Sequence, residues 1–216
     1  MTKPQNKVKI RWSPEFAYAI GLITSDGNLM SKRQYISFKS VDKELVEKFK
    51  IALGIKNKIS KGVRGGEKIK RYFYIYVGDL IFYRFLNSIG IESAKSKTIK
   101  SVEISDRFFR DFLRGLFDGD GTFYDFWDKR WKSSYVYQMA FSSASLNFIQ
   151  WLKKRLNRLY KVKGFIRRGD GVFNLRYVKR DTRKLFSIMY YGDTGKLLYL
   201  RRKYAKIKKA LDKDRR

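Results

Sequence analysis

At 216 residues and 25.7 kDa, the chain is long enough to bury a sizeable core as one domain or two small fused ones. Its 50 Lys and Arg against 20 Asp and Glu give a formal charge of +30, which points to a polyanionic partner, nucleic acid before any other. With no Cys and no His, disulfides, thiolate nucleophiles, imidazole metal ligands and Ser-His-Asp triads are excluded; catalysis must use carboxylates, Lys, Arg, Tyr, hydroxyls or an oxygen-liganded metal. Apolar residues at 44% and aromatics at 17% predict a folded chain and not a low-complexity packaging tail. No apolar run approaches the roughly 18 residues of a membrane span and no secretory h-region follows Met1, so no membrane partner is expected and a prokaryotic cytoplasmic setting is.

Ser13-Pro14-Glu15 carries an N-cap, a proline at the first helical position and an early acid, and predicts a helix that runs to Asp26. Tyr35 to Ser40 reads as a strand and Leu45 to Leu53 as a helix. Lys61 to Gly66 reads as a basic hairpin turn. Arg71 to Val77 alternates with period two, with Phe73, Ile75 and Val77 on one face and Tyr72, Tyr74 and Tyr76 on the other. Ser105-Asp106 opens a second helix that ends at Asp120. Gln138 to Ser143 is a further strand, Leu146 to Leu159 a helix, Arg167 to Gly171 a second basic turn, Val172 to Val178 a strand, and Leu200 to Arg216 a basic helix or solvated tail.

This order contains a duplication. Ala19-Ile20-Gly21-Leu22-Ile23-Thr24-Ser25-Asp26-Gly27 recurs 94 residues later as Leu113-Arg114-Gly115-Leu116-Phe117-Asp118-Gly119-Asp120-Gly121. Gly21 and Ser25 are four apart, as are Gly115 and Gly119, which bares one face of each helix for backbone-to-backbone approach. Gly27 and Gly121 are expected to end the helices in the left-handed conformation. If the helices pack side by side with their ends aligned, Asp26 and Asp120 come together, and two carboxylates there repel unless a cation lies between them. Magnesium, or another divalent ion such as manganese or calcium, takes one or two carboxylates, keeps several waters and accepts phosphate oxygens, which suggests metal-assisted phosphodiester hydrolysis. Asp118 stands where the first copy has Thr24; it could help bind metal, but a solvated or locally hydrogen-bonded role is the expectation preferred.

The two nonapeptides, with the flank Phe112 to Phe123, resemble the paired signature motifs of single-chain LAGLIDADG homing endonucleases, over a span from about Pro14 to Lys206. The resemblance implies an α+β fold of two pseudo-symmetric αββαββα repeats, residues 1–100 and 101–216. Motif helices would pack at the centre, and two saddle-shaped antiparallel sheets would lie over the DNA major grooves. It implies a monomer that binds double-stranded DNA, with intron RNA as a further candidate partner. Asp26 and Asp120 would bind the metal and cut both strands across the minor groove, leaving short 3′ overhangs. Lys95, preferred over Lys97, and Lys203 would supply a positive charge near each scissile phosphate.

DNA reading would fall to the outward sheet faces. If Ile36 and Phe38 point into the core, Arg33, Tyr35, Ser37 and Lys39 point to DNA, joined by Tyr72, Tyr74 and Tyr76. Arg64, Arg71, Arg167, Arg168, Asn174 and Arg176 complete the expected set, since Arg and Lys read guanine and Asn reads adenine. An RNA maturase of the same family, a catalytically silent DNA-binding relative and a structural ribonucleoprotein component are the competing readings. The last predicts sequence-indifferent binding that falls with salt.

Overall fold

The computed structural model describes residues 6–64, 70–130 and 134–214, the side chains of Arg64 and Lys70 excepted. In chain order the elements are α1 (Pro14–Asp26), β1 (Gly27–Met30), β2 (Tyr35–Ser40), α2 (Lys43–Leu53), β3 (Ser60–Arg64), β4 (Lys70–Val77), α3 (Leu80–Ser88) and α4 (Lys95–Thr98). They continue as α5 (Phe109–Asp120), β5 (Thr122–Trp127), β6 (Tyr135–Ser143), α6 (Leu146–Tyr160), β7 (Phe165–Arg168), β8 (Phe173–Val178), α7 (Lys179–Met189) and α8 (Arg201–Lys213). The fold is α+β, with two four-stranded antiparallel sheets ordered β1-β2-β4-β3 and β5-β6-β8-β7. The duplication of the nonapeptides therefore extends to strand order.

Contacts group the chain into two compact units. The first comprises residues through Lys95 together with Val102–Gly119; the second comprises Ser96–Ser101 and residues from Asp120 onward. The second motif helix thus clusters with the first repeat.

In the first unit, Ser13 Oγ accepts from Phe16 N at 3.1 Å and Pro14 occupies the first turn, as the cap signal predicts. From Phe16 to Thr24 every residue of α1 is buried, so the helix is a core element with no solvent stripe. Its end departs from expectation. Gly27 is extended, at φ −73° and ψ 141°, and leads straight into β1. Glycine is required there for space: a Cβ would stand 2.7 Å from Ile23 Cα and the Ile23 carbonyl oxygen. A left-handed cap occurs instead on α2, at Gly54 with φ +64°. The α2 face of Leu45, Val46, Phe49 and Leu53 packs on β2 and β4, with the Phe38 and Phe49 rings stacked at 4.4 Å. Buried Asp79 caps α3 through Phe82 N and also accepts from Lys7 N and Val8 N, which ties down the segment before α1.

In the second unit, α6 buries Phe148, Ile149, Leu152 and Leu156, and both α6 and α7 pack against β6 and β8. Thr182 of α7 accepts from Met139 N and donates to the Tyr177 carbonyl, both bonds buried. Part of each segment expected as a basic turn is strand. Lys61–Arg64 belongs to β3, with Gly65 and Gly66 outside the described residues, and Arg167 and Arg168 end β7. The second turn is Gly169 to Val172, closed by a 2.7 Å bond from Gly169 N to the Val172 carbonyl, with Gly171 at φ +64°.

Candidate functional site

The first motif helix meets the second through its glycines. A Cβ on Gly21 would overlap the Phe112 carbonyl oxygen, and one on Gly115 would overlap the Tyr18 carbonyl oxygen, so α1 and α5 touch backbone to backbone. Close approach continues to the end of the seam, where a Cβ on Gly119 would stand 2.8 Å from Asp26 Oδ2. The carboxylate of Asp26 therefore lies against the residue that precedes Asp120 in the chain.

Beside the glycines runs a buried polar network. Tyr18 donates its hydroxyl to Asp118 Oδ2 at 2.8 Å, and the Arg114 guanidinium donates to Asp111 Oδ1 at 2.8 Å while lying over the Tyr18 ring. Asp118, 1% exposed, is thus not solvated, and it accepts a bond from a tyrosine 100 residues away. Desolvation makes such a carboxylate costly unless it accepts hydrogen bonds. Tyr18→Phe is expected to lower unfolding stability by about 1–3 kcal/mol in urea titration. An unchanged midpoint would remove this bond from the account of the seam.

Each nominated lysine occupies a matching position. Lys95, 7% exposed, donates to the Gly27 carbonyl, the residue after Asp26. Lys203 donates to the Gly121 carbonyl, the residue after Asp120, at 2.7 Å. Lys206, one turn further along α8, reaches the Phe123 carbonyl at 2.9 Å. The far end of α8 is moored by Asp214, which accepts from Tyr137, Arg183 and Lys179. Burial opposes its ionisation, but these three hydrogen bonds outweigh burial and hold the Asp214 carboxyl below the ordinary carboxylate range.

The exposed sheet faces carry much of the expected recognition set. In the first sheet, registers Ser37–Tyr76 and Lys39–Tyr74 place Tyr35, Ser37, Lys39 and the three tyrosines of β4 on one face. The rings of Tyr35, Tyr76, Tyr74 and Tyr72 follow one another at 5.3, 5.1 and 5.8 Å, with Lys39 over Tyr72. Arg33 is exposed in the turn before β2. Ser37 departs from expectation. It is on the right face but 2% exposed, a short hydroxyl enclosed between Asn28 and Tyr76, its partners in register. Arg71 also departs, because period two puts it on the Phe73–Ile75–Val77 side. The side chain of Arg64 lies outside the described residues.

In the second sheet, Arg167 pairs with Asn174, and Asn174 and Arg176 share a face with Gln138 and Tyr124. Arg168 pairs with Phe173 and falls on the opposite face, since neighbours in a strand cannot share one. Sequence reasoning missed Tyr124 and Phe126 on this face, 45% and 48% exposed. Their strand, Thr-Phe-Tyr-Asp-Phe-Trp, has aromatics on both sides and so gives no alternation to read.

Among the described residues no group of three or more Asp, Glu, His or Cys is placed to hold a metal. The chemistry of the two motif acids nonetheless suits a hard cation that takes one or two carboxylates and completes its shell with water and phosphate oxygens. Asp26 is the last residue of α1 and Asp120 the last of α5, where the negative end of the helix dipole adds to the attraction for a cation.

Residues 13–90 match the family model of the LAGLIDADG-like domain. A curated relative, the replication factor C small subunit of Methanocaldococcus jannaschii, is 37% identical over 123 residues, half of this chain but 7% of that protein. Full-length DUF199/WhiA from Thermatoga maritima superposes with a TM-score of 0.59 at 16% identity, over 95% of this chain and 63% of its own. The homing endonuclease I-WcaI bound to its DNA recognition sequence matches at 0.61 and 13% identity, covering 88% and 89% of the two chains. I-DmoI in complex with DNA and calcium matches at 0.57 and 17%, covering 90% and 97%. At these identities the structural matches establish a shared fold, and that fold occurs both in homing endonucleases and in a protein not described as one.

Proposed function

We propose that this chain, which carries a LAGLIDADG-like domain and the fold of the single-chain LAGLIDADG homing endonucleases, is a metal-dependent, site-specific double-strand DNA endonuclease acting as a monomer on a long asymmetric target. The observation that carries this reading is the twofold recurrence of one arrangement. A motif acid ends a buried helix, and a lysine is anchored on the carbonyl of the glycine that follows, Asp26 with Lys95 and Asp120 with Lys203.

Asp26 and Asp120 are the proposed metal-binding carboxylates. A bound divalent ion, magnesium by preference, supplies activation of water and stabilisation of the leaving oxygen. Lys95 and Lys203 contribute fixed positive charge near each scissile phosphate, and their anchoring limits how far either ammonium travels. Tyr35, Lys39, Tyr72, Tyr74 and Tyr76 on the first sheet, with Arg167, Asn174 and Arg176 on the second, are the proposed DNA-reading side chains, and Arg33 binds phosphate from the turn. Cleavage is expected to leave short 3′ overhangs.

The likeness to WhiA supports a second reading, a DNA-binding protein that keeps the fold without cleaving. Selection from a randomised duplex library, followed by incubation of the enriched sequence with protein and magnesium, separates the two. The proposed nuclease enriches one site and linearises a plasmid that carries it. Enrichment with an intact plasmid leaves the silent binder, and no enrichment at any salt concentration removes both.

A further inference from the structure

Strand β5 is an edge of the second sheet, and α8 packs against it. Carbonyls two residues apart on a strand point the same way, so an edge offers a row of acceptors to whatever covers it. Two lysines of α8 take consecutive members of that row. Lys203 donates to the Gly121 carbonyl, at the entry to β5, and Lys206 donates to the Phe123 carbonyl at 2.9 Å. Being three residues apart, the two side chains share one face of the helix. Covering the edge would account for Lys206 if its ammonium were enclosed, but the side chain is 56% exposed. An ammonium has three donors, and the Phe123 carbonyl takes one. The Asp125 carboxylate stands 4.0 Å away, beyond hydrogen-bond distance, and accepts from the Tyr135 hydroxyl at 2.7 Å. Lys206 therefore keeps donors for an anion. The first repeat differs here. One turn after Lys95 stands uncharged Thr98, and Lys97 lies about 200° around the helix from Lys95.

We propose that Lys206 binds the phosphate next to the one attended by Lys203, and that the second repeat, with this additional fixed cation, cuts its strand first. Carbonyls two residues apart on a strand stand about 7 Å from one another, the order of the separation between successive phosphates of one DNA strand. An ammonium tethered on one side and open to solvent on the other meets a phosphate already ordered, so less entropy is lost on binding. Fixing the neighbouring phosphate also holds the scissile one in place against the motif acid, which raises the rate on that strand beyond any gain in affinity. The order of cutting rests on the proposed nuclease reading. The phosphate contact does not, because a DNA-binding protein that never cleaves would make it too.

The test uses the full chain and a duplex carrying its selected site, with a different dye on each strand. Binding is read by anisotropy without metal over a range of salt, and cleavage by single-turnover reaction in magnesium with protein in excess. Lys206→Thr gives the second repeat the residue that the first has at this place, and changes an exposed side chain. Its log-log salt slope is expected to fall by about 0.9, the share of one phosphate, a readout that covering a strand edge would not move. Lys206→Arg keeps the charge and should keep the slope. The unaltered chain should cut one strand about fivefold faster than the other, and Lys206→Thr should slow that strand about tenfold while leaving the other within about twofold. Lys203→Ala should slow the same strand, which marks it as the one served by the second repeat. Lys208→Thr, the same change of charge about 200° around α8 from Lys206, should alter neither readout. An unchanged salt slope in Lys206→Thr, or an equal fall in Lys208→Thr, overturns the phosphate contact. Equal slowing of both strands, or slowing of the strand that Lys203→Ala spares, overturns the order of cutting. An unaltered chain that binds its site and cuts neither strand removes the nuclease reading and the order of cutting with it, while the salt slope still decides the phosphate contact.

Discussion

Replacing Asp26 or Asp120 by Asn is expected to reduce cleavage of the selected duplex by about a thousandfold or more in magnesium, while affinity for that duplex in the absence of metal changes little. Asn keeps the size of Asp and one oxygen but loses the charge that draws a hard cation, and neither residue belongs to the exposed sheet faces that would hold DNA. Supercoiled plasmid distinguishes the outcomes. Loss of both nicked and linear forms in each variant means that both acids serve both strands. Accumulation of nicked circles means that each acid serves one. Wild-type linear product from either variant defeats the assignment of that acid. Lys95 and Lys203, moored on the glycine carbonyls, are already engaged at the ends of the motif helices and are untouched by either substitution.

Much of the architecture is legible in the sequence because it is written in periodicity. Alternation in Arg71 to Val77 and the cap at Ser13 locate β4 and the start of α1 to within a residue, and the duplicated nonapeptide announces a repeat, which in the structure extends to two sheets of the same strand order. Several illegible parts depend on which atoms come to lie beside a residue, near in the chain or far from it. The role of Gly27 follows from its own preceding turn and not from handedness, and that of Asp118 from a tyrosine 100 residues earlier. Ser37 lies on the face that alternation gives it, yet its accessibility is decided by Asn28 and Tyr76 beside it. Arg71 and Arg168 depart for a different reason: parity already puts each on the opposite side from Tyr72 and Asn174, and a positive charge does not override it. Strand β5, apolar on both faces, offers no period at all, so its exposed aromatics appear only in three dimensions.

Gly21→Ala tests the seam on which the candidate site is built. Two effects oppose each other. Alanine in a helix interior is favoured over glycine by about 0.5–1 kcal/mol. Against that, the added methyl would overlap the Phe112 carbonyl oxygen and approach Leu116 N to 2.7 Å. Those are backbone atoms inside α5, which cannot rotate aside as a side chain does, so α1 and α5 must part. Overpacking of this kind costs about 1–3 kcal/mol, and here it strains a seam that also holds the Tyr18–Asp118 bond, so the clash wins. The melting temperature should fall by roughly 2–8 °C. Gly78→Ala is the matched control, since a Cβ there meets nothing within 4 Å and the residue is not among the glycines of positive φ. It should leave the melting temperature unchanged or slightly raised. Parting the helices also draws Asp26 Oδ2 away from Gly119, so Gly21→Ala should lose more cleavage than its residual folded fraction explains. Equal stability of the two variants would mean that the helices do not meet backbone to backbone at Gly21.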